Sequence, residues 1–155
     1  MSKLQSTNTN ILNKFTKFFL DFMFYSGILL TITLPLTFKI FGDYYPNIAN
    51  NYIVMCILFM LCGLLALWII YYLRRIFQTV IDENCFVEEN VRSLKRMGIA
   101  SFLISLVTLL RLFYVVTPAT LIIILVFFIA GLFSLVLAQV FAQAVSYKQE
   151  NDYTI

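Results

Sequence analysis

The sequence predicts an all-α integral membrane protein, a four-helix bundle with both termini in the cytoplasm. Three observations carry this. First, 61% of the residues are hydrophobic and only 12% are charged, whereas soluble domains hold about a quarter charged residues. Second, the apolar residues gather into four runs, each near the ~20 residues that cross ~30 Å of hydrocarbon at 1.5 Å per residue. Third, nine of the eleven lysines and arginines fall on one side of those runs.

The runs are 18–40, 53–73, 99–116 and 119–141. The first carries Thr31 and Thr33 at its centre and Pro35 towards its far end, and the second closes on Tyr71-Tyr72 and Arg74-Arg75. Arg111 interrupts the third. The fourth follows Pro118, which suits a first helical turn because the missing N–H has no partner there anyway. Lipid offers nothing to an exposed backbone amide, so such runs are helical. Lys3, Lys14, Lys17, Arg74, Arg75, Arg92, Lys95, Arg96 and Lys148 share one side, leaving Lys39 and Arg111 on the other. That asymmetry places both termini, the loop 74–97 and the tail 142–155 inside. Met1 to Lys17 is too polar and the run after it too long for a cleaved signal peptide, so the first helix is expected to be retained.

The outer loop 41–52 is short and turn-rich, with Gly42-Asp43, Pro46-Asn47 and Asn50-Asn51. The next connection, at Thr117-Pro118, is shorter still and makes the last two helices an antiparallel hairpin. Between the second and third spans, Ile76, Phe77, Val80 and Ile81 recur at helical spacing. Asp82-Glu83-Asn84 breaks that pattern, and a short interfacial helical segment begins near Glu88. Glu88 and Glu89 at its start and Arg92, Lys95 and Arg96 further on suit the helix dipole at both ends. This segment serves either as an anchor on anionic headgroups or as a docking site for a soluble protein.

Ala130, Ser134, Ala138 and Ala142 repeat every four residues in the fourth run, a small-residue row of the kind that lets membrane helices approach closely. Gly98, Ser101, Ser105 and Thr108 offer a comparable face on the third. The intramembrane polar residues are Asp21, Arg111, Gln139 and Gln143. Ionisable groups at such depth are functional candidates. Asp21 stands four residues after Lys17, within about one turn of the membrane boundary, where a pair with Lys17 or water is expected to satisfy it. Arg111 is expected to snorkel outwards or to meet Asp43.

An enzyme is not expected. Histidine is absent, which removes the commonest general base and metal ligand. No phosphate-cradling glycine motif, metal-ligand cluster or nucleophile–base pair appears, so no cofactor and no metal is expected. Cys56, Cys62 and Cys85 imply no disulfide framework. The basic residues follow topology and form no nucleic-acid face.

Asn84-Cys85-Phe86-Val87-Glu88-Glu89-Asn90 with Leu94-Lys95-Arg96-Met97-Gly98, together with Leu137 to Phe141 and Glu150 to Ile155, resembles a bacterial membrane-protein family, domain of unknown function 2975. Cys85 stands where that family often has proline, and Tyr153 where leucine is usual. The resemblance implies a multi-pass protein of the bacterial cell membrane with no established activity. It also implies, as a frequent gene neighbour, a small helix-turn-helix regulator. The expected role is therefore that of a non-enzymatic regulatory or accessory protein. Its partners are the lipid bilayer and a cytoplasmic regulator, with no direct nucleic-acid binding. Phe86, Asn90, Leu94, Arg96, Asn151 and Asp152 are the candidate partner-binding residues. The alternative is a small transporter or immunity-type protein acting as a homo-oligomer.

Overall fold

A computed structural model describes residues 2–42, 51–82 and 84–153, with side chains described at 13–40, 51–82 and 84–151. The outer-loop turns and Asp43 lie outside the described residues. There are four α-helices: α1 Ser2–Gly42, α2 Tyr52–Ile81, α3 Glu88–Arg111 and α4 Pro118–Tyr153. All four are long and apolar enough to cross a membrane.

The helices outrun the apolar stretches because nothing in the local sequence breaks them. α2 continues through Arg74-Arg75 to Ile81, where Asp82 N donates to Gln78 O at 3.0 Å and Asn84 N to Thr79 O at 2.9 Å. α3 starts at Glu88, with Val87 extended before it and Glu88 and Glu89 in its first turn. The sequence reading needs correcting at both ends here. Residues 88–97 are the opening turns of α3 itself and not a separate interfacial segment. The far end of that helix is Arg111, not residue 116, since Leu112–Tyr114 is a turn. Leu112 N to Leu109 O at 3.0 Å and Phe113 N to Leu110 O at 3.3 Å tighten the end. α4 opens on Thr117, whose Oγ1 accepts from Thr120 N at 3.3 Å, with Pro118 next.

Small polar side chains are buried among the apolar ones, and large apolar side chains cover the outside. The buried side chains include Thr31, Asn90, Ser93, Ser101, Ser105, Thr108, Thr120 and Ser134, while Phe18, Ile53, Phe113 and Phe133 are more than two-thirds exposed. An apolar exterior of this extent needs an apolar solvent. Hydroxyls in the helices are satisfied on their own backbones: Thr31 Oγ1 donates to Gly27 O at 2.8 Å and Thr108 Oγ1 to Ile104 O at 2.7 Å. α3 is the least apolar helix and the most enclosed, with 50% of its membrane-length stretch buried against 11%, 11% and 17% in the others.

Among the described residues, packing is sequential: α1 on α2, α2 on α3, α3 on α4. The four-helix bundle expected from the sequence is thus arranged as a row, without packing of α1 on α4 among the described residues. Lipid supplies no hydrophobic drive between helices, and each short connection dictates one antiparallel pair without drawing α1 onto α4. The α3–α4 pair is the tightest. Gly98 and Gly131 meet backbone to backbone, each carbonyl oxygen 3.2 Å from where the other residue's Cβ would stand. Ser134 Oγ donates to Leu94 O at 2.8 Å, and Ser105 Oγ to Ile124 O at 3.1 Å. The buried positions of α4 on this face are Gly131, Ser134, Ala138 and Val145. Of the predicted row, Ala130 and Ala142 are exposed, since a four-residue step turns ~40° past a full helical revolution and the row spirals off the contact.

Candidate functional site

Two places in the row concentrate polar chemistry: the end where most lysines and arginines lie, here the basic end, and the interior around Arg111.

At the basic end α2, α3 and α4 are cross-braced. Asn90 is 1% exposed. Its Nδ2 donates to Thr79 Oγ1 at 2.6 Å and to the Cys85 carbonyl at 2.7 Å, tying the last turn of α2, the connecting segment and the first turn of α3 together. Arg96 donates to Tyr72 Oη at 2.9 Å, Arg75 pairs with Glu89, and Lys148 donates to Asn84 Oδ1 at 2.9 Å. Phe86 lies against Phe141 with ring centroids 5.5 Å apart, and Ile76, Leu94 and Ala138 form the apolar centre beneath.

This changes the roles open to the predicted residues. Asn90 and Leu94 are buried and brace the head, so neither is available for direct contact with a partner. Phe86 is half exposed, and Arg96 and Asn151 are exposed. The Asp152 side chain lies outside the described residues. A cleft of about 310 Å³ between α3 and α4 was not legible in the sequence. Exposed Glu88, Arg92 and Lys95 border it on one helix, with Arg92 paired to Glu88 at 3.2 Å, and Ser146 and Gln149 on the other. Its residues lie some fifty positions apart and share no motif.

Asp21 pairs across to α2 and not with its neighbour Lys17: Oδ1 stands 2.5 Å from Arg74 Nε, and the Arg74 guanidinium lies 4.7 Å over the Phe24 ring. Lys17 donates instead to Gln78 Oε1, one turn further along the same antiparallel pair. Because α1 packs on α2 alone among the described residues, this ion pair should register in its docking. A double-mutant cycle of Asp21→Ala and Arg74→Ala is expected to give a coupling of about 1 kcal/mol, the upper end for partly exposed pairs. Reversible unfolding in detergent measures it, and additive single effects would contradict the assignment.

Gln139 and Gln143 are both exposed on α4. Arg111 turns inwards, its guanidinium 4.5 Å over the Phe59 ring. Among the described residues no group of three or more histidine, cysteine or acidic side chains lies close enough to hold a metal ion.

Four long apolar helices, hydroxyl groups bonded at their contacts and a braced basic end give the make-up of a multi-pass helical membrane protein. The chain belongs to the family described as Protein of unknown function (DUF2975), whose model matches residues 36–155 and so takes in all of α2, α3 and α4. No curated protein and no solved structure matches the chain.

Proposed function

We propose that this chain is a non-enzymatic regulatory or accessory protein of the bacterial cell membrane, whose basic end faces the cytoplasm and docks a soluble partner. The observation that carries this reading is that α2 and α4 run past the apolar stretches and are locked onto α3. α2 extends ~10 Å beyond Arg74 and α4 ~18 Å beyond Phe141, by residue count. A mere anchor of basic residues on lipid needs no such bracing. The cleft bordered by Lys95 and the exposed Arg92–Glu88 pair, with half-exposed Phe86 nearby on the connecting segment, suits a partner face that brings a carboxylate to the two cations and an apolar anchor.

The test is co-purification of the full chain with the helix-turn-helix regulator that the family resemblance implies as a gene neighbour. Phe86→Ala and the double charge reversal Arg92→Glu, Lys95→Glu should each weaken recovery at least about ten-fold, in line with loss of an interface anchor. Cysteine labelling at position 95 should fail from outside intact cells and succeed after lysis. Undiminished recovery with the charge reversal, or labelling from outside, refutes the reading.

One observation favours the transporter or immunity-type alternative: the row does not close on itself, leaving an open side that a second copy can cover. On that reading Arg111→Gln removes the cellular phenotype while the head substitutions leave it intact.

A further inference from the structure

We propose that the interior of the row is a binding site for a single-chain lipophilic acid, its carboxylate held by Arg111 and its apolar chain lying along α2. The site is a cavity of about 350 Å³ to which all four helices contribute, although α1 and α4 are not packed on each other among the described residues. On α2 its lining runs from Leu58 to Ile70, ~18 Å of helix by residue count. It is a long apolar slot, and Arg111 is its one charged residue, at the Phe59 end.

Three features specify the occupant. The Arg111 Nε is buried and, among the described residues, has no hydrogen-bond partner. Arg111 is half-buried, no carboxylate pairs with it among the described residues, and its planar fork matches a carboxylate. The hydroxyls in the lining, Thr31 and Thr108, already donate to carbonyls of their own helices. The site therefore offers one cationic fork and no further set of donors for a larger polar head. Finally, about 350 Å³ lies near the lower end of ligand-pocket volumes. That leaves room for one extended chain and not for the two of a bilayer phospholipid.

The test uses the full chain in phosphatidylcholine nanodiscs, titrated with a dansyl-labelled fatty acid, its methyl ester and the corresponding alcohol. Empty discs supply the unsaturable background. Saturable binding of the acid is expected, with the ester and alcohol at least about ten-fold weaker, as loss of a charge-assisted pair requires. Arg111→Gln should abolish the preference for the acid, and Arg111→Lys should restore part of it. Ala66→Phe, which fills the slot and keeps the cation, should remove binding of all three. It guards against Arg111→Gln failing to fold. Equal affinity for acid and alcohol in the natural chain overturns the proposal, as does unchanged acid binding in both Arg111→Gln and Ala66→Phe. Displacement of the probe by phosphatidylglycerol at lower concentration than by unlabelled fatty acid overturns the assignment to a single-chain acid.

Discussion

Gly98→Ala is expected to destabilise the chain by about 1–3 kcal/mol, and Gly98→Leu to prevent α3 and α4 from pairing. A Cβ at this position would stand 2.9 Å from Leu135 Cγ, 3.0 Å from its Cδ2 and 3.2 Å from the Gly131 carbonyl oxygen. Rotation of Leu135 can relieve the first two contacts. Only separation of the helices relieves the third, because the obstacle is backbone. Separation then loosens the bond from Ser134 to the Leu94 carbonyl, one turn away. In lipid, close packing and such bonds are what hold helices together, since hydrophobic burial adds little.

Gly27 supplies the control. Its Cβ would meet Leu67 Cδ2 at 2.9 Å, the movable tip of a side chain, and Leu67 Cγ only at 3.9 Å. Gly27→Ala should therefore cost well under 1 kcal/mol, with the gain in helix propensity offsetting part of it. Unfolding of both variants in mixed micelles decides the matter. Equal stabilities would show that the Gly98–Gly131 approach is not what holds the hairpin.

The number of helices was legible because lipid imposes one length and one composition on anything that crosses it. Helix ends were not, because the hydropathy signal stops at the headgroups while hydrogen bonding does not. Residues 74–81 were announced by the helical spacing of Ile76, Phe77, Val80 and Ile81, whereas 142–153 continue α4 without an apolar pattern of that kind. The small-residue row misled for a geometric reason. A repeat of four looks like a stripe on paper, yet it drifts across the helix face, and Gly131 next to Ala130 makes the contact. Asp21 misled by proximity: Lys17 was the cation close in sequence, but antiparallel pairing brings Arg74 to the carboxylate. Arg111 could not be placed because its orientation depends on Phe59, fifty-two positions earlier, and not on its own helix.

Asn90 is the position where loss of function and loss of contact need separating, and a pair of substitutions does so. Its amide nitrogen donates both of its hydrogens, to Thr79 Oγ1 and to the Cys85 carbonyl, and Thr79 Oγ1 in turn donates to the Ile76 carbonyl at 2.7 Å. Residues 84–87 have no regular structure of their own, so this chain of bonds holds them. Asn90→Ala removes the donors and leaves a buried carbonyl less satisfied, which costs about 1–3 kcal/mol. Asn90→Asp keeps the shape but aims an acceptor at the Cys85 carbonyl and buries a charge without a cation, which costs about 3–5 kcal/mol. The aspartate variant should therefore be the less stable of the two, against the ordinary expectation that the nearer isostere is milder. Faster amide hydrogen exchange across 84–87, with the total helix content retained, is the expected signature. Because Phe86 rests on Phe141, freeing that segment also displaces the apolar anchor of the proposed docking surface. Partner binding should then fall in both variants, although the Asn90 side chain is too buried to touch anything outside the protein. An Asn90→Asp chain as stable as the natural one would show that the basic end is held by its salt bridges and not by the buried amide.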